Sequence, residues 1–177
     1  MKYYLIAGEA SGDLHASNLM KSIAKFDKNA DFRFFGGDLM METGGTLVKH
    51  YREMAFMGLV DVIANIRTIS KNLEICKNDI SSWKPDVIIL VDYAGFNLRV
   101  AEFAKNAGFK VFYYISPKVW AWRKSRIEKL RKFTDRIFVI FPFEVEFFRT
   151  NQLEVEFYGN PLMDSITTYK RKKQSTK

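Results

Sequence analysis

Apolar positions along this chain follow two rhythms. Short strand-like runs lie at Tyr3–Ala7, Phe32–Phe35, Val87–Val91, Val111–Ile115 and Ile137–Phe141, with a weaker one at Val155–Tyr158. Their length and their β-branched and aromatic content predict strands. Between most of them the spacing lengthens to three and four. Val62, Ile66, Ile69, Leu73 and Cys76 form one stripe, Leu19, Ile23 and Phe26 a second, and Val100, Phe103 and Ala104 begin a third. That is the period of a helix with one buried face. Strands alternating with helices predict βαβ units and an α/β fold with a parallel sheet. A run as continuous as "VIILV" predicts helices on both faces of that sheet. No repeat or low-complexity linker interrupts the pattern, and only after Tyr169 does the composition shift, to "KRKKQSTK". The expected division is one domain over residues 1–164, leaving through the turn-like "GNPLMDS", and a basic, mobile tail over 165–177.

In an open parallel sheet the residues just past the strands face the crevice where ligands bind, and four stretches place polar side chains there. "LIAGEASGDLHA", residues 5–16, sets Glu9, Ser11, Asp13 and His15 beside Gly8 and Gly12 at a strand-to-helix turn. The glycine spacing fits neither the dinucleotide fingerprint nor the lysine-bearing phosphate loop, and Glu9 and Asp13 repel an anion. Contact with a hydroxyl-rich ligand and capping of the helix by Ser11 or Asp13 both stay open. "VDYAGFN" puts Asp92 at the end of the most apolar strand, where a carboxylate serves either as a general base or as a cap for the helix near Asn97. "YYISPKVWAWR" sets Trp120 and Trp122 ahead of Arg123 and Lys124, either as core indoles or as aromatics beside a sugar phosphate or acylated phospholipid. "FPFEVEFF" offers Glu144 as a ligand contact or as a carboxylate at a helix start. The stretch "MAFMGLV", Met54–Val60, reads as core or as an adaptable surface for acyl chains or a membrane.

Composition narrows these choices. With 177 residues, 47% of them hydrophobic, the chain suffices for one substantial core. No apolar run approaches the roughly 18 residues of a membrane span, and the start lacks a signal-peptide pattern, so a cytoplasmic protein is expected. Cys76 is the single cysteine and His15 and His50 are the two histidines, which excludes a disulfide frame, a cysteine zinc cluster and a histidine-rich metal site. Of the net charge of +8, five positive residues fall between Lys170 and Lys177, and a second concentration of net +6 lies at 118–132. The latter is a solvated helix face or a surface for phosphate. No nucleic-acid motif accompanies it, and nucleic acid is not an expected partner.

Taken in order, "AGEASGDLHA", "FFGGDLM", "MAFMGLVDV", "KPDVIILVDYAGFNLRVA", "YYISPKVWAWRKSRI" and "FPFEVEFF" followed by "FYGNPLMD" resemble the lipid-A-disaccharide synthase family over residues 3–164. The resemblance implies a GT-B arrangement of two facing Rossmann-like domains, of which this chain is the N-terminal one. The C-terminal nucleotide-sugar domain would lie outside it, in a truncated, split or interrupted protein. It further implies an inverting transfer from UDP-2,3-diacylglucosamine to 2,3-diacylglucosamine 1-phosphate, giving a β-1,6-linked disaccharide and UDP, with neither metal nor cofactor. The lack of a D-x-D pair agrees.

By the same resemblance Asp92 is the base, and Glu9, Ser11, Asn97 and Glu144 position hydroxyls or that base. Arg123 and the basic run after it face phosphate or anionic lipid. Met54, Phe56, Met57, Leu59 and Val60 contact acyl chains or the membrane. The expected setting is cytoplasmic, peripheral to the inner membrane, with the isolated chain inactive. Ala94 departs from the proline usual in the Asp92 motif. The competing expectation is a non-catalytic module that binds acylated lipid at a membrane surface.

Overall fold

The computed structural model describes residues 1–54, 66–118 and 125–163. Its elements are β1 (Lys2–Ala7), α1 (Ala10–Phe26), β2 (Asp31–Gly36), α2 (Asp38–Thr43), β3 (Thr46–His50), a single 3₁₀ turn (Tyr51–Glu53), α3 (Ile66–Trp83), β4 (Val87–Val91), α4 (Ala94–Asn106), β5 (Val111–Tyr114), α5 (Ser125–Phe133), β6 (Arg136–Val139), α6 (Pro142–Thr150) and β7 (Glu156–Phe157). The strands form one sheet in the order β3-β2-β1-β4-β5-β6-β7, every neighbouring pair parallel. Phe56, Met57, Leu59, Val60, Trp120, Trp122 and Arg123 lie outside the described residues, as does the tail from 164 onward.

Strand alternation sorts the core into two layers. Tyr4, Ile6, Ile88, Leu90, Val111 and Tyr113 meet Cys76 and Ile80 of α3, Val100 and Ala104 of α4, Ile127 and Leu130 of α5 and Phe148 of α6. On the other face Leu5, Ala7, Ile89 and Val91 meet Ala16 and Met20 of α1 and Met40 of α2. All five residues of β4 are buried, and at about 1.5–3 kcal/mol for each large aliphatic side chain this strand anchors both layers. No helix among the described residues is long and apolar enough to cross a membrane.

Several expectations need correction. Phe26 is 92% exposed, while α1 buries Gly12, Asp13, His15, Ala16, Ser17 and Met20. The small residues let the helix lie close to the sheet: a Cβ on Gly12 would meet the Ala7 Cβ at 3.3 Å. Leu19 and Ile23 therefore pack only at the margin of that layer. The short helix α2 and the edge strand β3 were not expected. The strand runs also end earlier than their apolar content, at Tyr114 and Val139, because Ile115 leaves the sheet with φ 65° and Ile140 turns toward α6.

Candidate active site

From β1 the chain moves outward on one side through β2 and β3, then returns to the opposite side of β1 as β4. The loops leaving β1 and β4 therefore diverge and open a crevice at their carboxyl ends. Ala7 is paired with Val91, so Gly8 and Glu9 stand beside Asp92 and Tyr93. The reversal of strand order brings the first and second sequence motifs together.

Asp92 and Tyr93 both take left-handed backbone angles, φ 45° and 44°. Neither is glycine, and each such residue costs on the order of 1–3 kcal/mol unless its surroundings hold it there. The holding groups are visible. The Asp92 amide donates to the Tyr114 carbonyl at 3.3 Å. Its carbonyl accepts from the Tyr113 hydroxyl at 2.6 Å and from Asn97 Nδ2 at 2.9 Å. Asn97 Nδ2 also lies 3.2 Å from the Val91 carbonyl and 3.4 Å from that of Ile6. The next strand ends in the same way, on Ile115 at φ 65°. Backbone strain thus gathers at two neighbouring strand ends.

The Asp92 side chain is half-buried. Burial raises its pKa above the usual carboxylate value, the Glu9 charge raises it further, and Lys118, the Tyr93 amide and Arg126 act in the opposite sense. A carboxyl group with a raised pKa is a stronger base once ionised, which suits proton abstraction from a hydroxyl. Glu9 is exposed and accepts a hydrogen bond from the Ser11 hydroxyl, so these two line the mouth of the crevice. Tyr93 spans the site. Its hydroxyl donates to the Met54 carbonyl at 3.2 Å, and its ring fills the space over Gly8, where a Cβ would come within 2.3 Å of the ring carbons.

Other motif residues have structural tasks. Asp13 is 2% exposed, and its carboxylate accepts from the amides of Gly37, Leu39 and Met40 at 2.7, 3.0 and 3.2 Å. It caps α2 rather than its own helix, and its negative charge sits favourably at that N-terminus. Asn97 and Glu144 are both buried. Asn97 binds backbone, and Glu144 Oε2 accepts from the amides of Ile140 and Phe141 at 3.1 and 3.0 Å at the start of α6. Met54 is 1% exposed and packs within the core. Tyr113 and Tyr93 went unnoticed because in the sequence they are further aromatic residues in apolar runs. Among the described residues no three His, Cys, Asp or Glu side chains gather as a metal site.

The sequence matches a known family. Residues 3–177 match the family described as lipid-A-disaccharide synthetase. The chain belongs to that family. The lipid-A-disaccharide synthase of Geobacter metallireducens is 46% identical over 163 residues, which make up 92% of this chain and 42% of the relative. That of Coxiella burnetii is 37% identical over the same 92% of the chain. The chain thus spans about two fifths of the length of these synthases.

Among solved structures, the UDP-GlcNAc 2-epimerase of Neisseria meningitidis, bound to UDP-GlcNAc, superposes with a TM-score of 0.68 at 11% identity, over 99% of this chain and 51% of the epimerase. The S. aureus MnaA structure with UDP gives 0.68 at 12% identity, over 94% and 46%. These likenesses concern fold alone. The fold is one Rossmann-like domain of the GT-B type, in accord with the expected class.

Proposed function

We propose that this chain is the acceptor-side, base-bearing domain of a lipid-A-disaccharide synthase. It acts with a second, nucleotide-sugar-binding domain to transfer diacylglucosamine from its UDP donor to 2,3-diacylglucosamine 1-phosphate. The observation that carries the reading is Asp92: a half-buried carboxyl group of raised pKa, on a strained turn at the sheet's switch point, in a family of disaccharide synthases.

In an inverting displacement the acceptor hydroxyl must lose its proton as its oxygen attacks the anomeric carbon, while the bond to the departing UDP breaks on the opposite face. Asp92 takes that proton. Glu9 disfavours negative charge on Asp92 and, with Ser11, stands where a sugar hydroxyl would be oriented. Lys118 and Arg126 supply positive potential on the other side, suited to the anionic acceptor. The nucleotide diphosphate is held by the second domain. The basic run at 118–132, with Arg123, draws the domain to anionic lipid at the cytoplasmic face of the inner membrane. Phe56, Met57, Leu59 and Val60 are the acyl-contact residues of the proposal.

The test is sugar transfer by this chain together with the second domain, and by the chain alone. Half a cleft neither orients the donor nor excludes water, so turnover is expected only from the combination, and Asp92→Ala abolishes it. Undiminished turnover in Asp92→Ala overturns the assignment. Salt-sensitive vesicle binding that is indifferent to Asp92, with no transfer in any combination, would replace it with a lipid-binding module.

A further inference from the structure

Tyr113 is fully buried in β5, yet its hydroxyl does not serve the sheet. At 2.6 Å it donates to the carbonyl of Asp92, a residue whose φ of 45° strains any side-chain-bearing backbone. Asn97 Nδ2 donates to the same oxygen at 2.9 Å. Two side chains from different elements, β5 and α4, therefore converge on one carbonyl at a strained position. A carbonyl at the end of a strand gains its partner from the sheet or from water, and here buried side chains replace both.

Left-handed geometry at Asp92 turns the side chain out of the sheet's alternation and toward the crevice beside Glu9. Were the peptide to relax to an extended angle, the carboxyl group would swing away and its burial would change.

We infer that Tyr113 is a positioning residue for the reaction: its hydroxyl, together with the Asn97 amide, locks the Asp92 peptide in the left-handed turn that aims the carboxyl group at the acceptor hydroxyl. This rests on Asp92 being the base. It assigns Tyr113 no contact with substrate. Tyr4 provides the matched control. It is equally buried on the same face of the sheet, and its hydroxyl bonds Asp79 at 2.9 Å, away from the crevice.

The experiment is a ¹³C NMR titration of the Asp92 carboxyl group in the 177-residue chain, for the native sequence, Tyr113→Phe and Tyr4→Phe. Tyr113→Phe is expected to bring the Asp92 titration down toward the ordinary carboxylate range, because a freed turn lets water reach the group. Tyr4→Phe leaves it in place despite a similar loss of stability. Asn97→Ser, which withdraws the other donor, moves the titration in the same direction and keeps the test decisive if Tyr113→Phe folds poorly. In the chain combined with the second domain, Tyr113→Phe lowers kcat about tenfold with KM unchanged, and the acid limb of its pH profile shifts to lower pH. An Asp92 titration unmoved by both Tyr113→Phe and Asn97→Ser overturns the positioning role. If they leave it unmoved while Asp92→Asn is inactive, positioning alone fails. Full turnover in Asp92→Asn removes the base itself.

Discussion

Two aspartates sit at the carboxyl end of this sheet, and the fold treats them in opposite ways. Asp13 has its carboxylate saturated by three backbone amides and is sealed from water. At Asp92 the buried donors address the backbone carbonyl, and the carboxyl group is left at the crevice with its pKa raised. A carboxylate that collects amides is a structural tie. One whose backbone collects the donors while its own charge remains costly is built for a proton. The first arrangement adds stability and the second gives some away.

The sharpest way to break this contrast is to neutralise Asp92. Asp92→Asn should lower transfer by about 10²–10⁴, the usual range for a general base, while the domain melts at the same or a higher temperature, since asparagine tolerates the left-handed turn. A large loss of stability would place Asp92 with Asp13. Next in size is Asp13→Ala, which leaves three amides at the start of α2 without their acceptor and should cost about 3 kcal/mol, read from denaturant unfolding.

The pH dependence tests the reading of Asp92 directly. The folded pKa of Asp92 lies above its ordinary 3.8, so folding takes up protons there. Its favourable contribution is complete below pH 3.8 and is lost as pH rises through the raised value. The stability advantage of Asp92→Asn over the native chain should therefore open with rising pH and then level off; a gap that closes with rising pH would contradict the buried carboxyl group. The smallest effect belongs to His15. Its pKa is lowered by burial from 6.5, and among the described residues its Nδ1 meets no hydrogen-bond partner. The sign is opposite in its consequence: the folded state resists protonation, so stability falls as pH drops below 6.5. His15→Leu should flatten that decline in melts between pH 7 and pH 5.

How much of this could be read from the chain depends on which residues carry the information. Unbroken runs such as Val87–Val91 announce a strand buried on both faces, and the order of strands and helices gave the parallel architecture. The edge strand β3 was invisible because "TLVKH" is polar and only half-buried. Helix α2, six residues long, is held from outside by Asp13 and has too few turns to show a period. The α1 stripe misled because Phe26 weighs heavily in a hydrophobic pattern, whereas close packing selected Gly12 and Ala16. At the site, the position of Asp92 followed from its place after a strand. The helix-start alternative for Glu144 was legible too, because its partners lie three and four residues away; the tasks of Tyr113 and Asn97 were not, since each depends on backbone atoms that only the folded topology brings near.

Gly8 carries a consequence of a different kind. Its missing side chain is the space in which the Tyr93 ring lies. Positions 8 and 93 are thus one unit of variation shared between two distant motifs: a methyl group gained at the first has to be matched by a smaller ring or a new rotamer at the second. Sequence drift in either loop is answerable to the other.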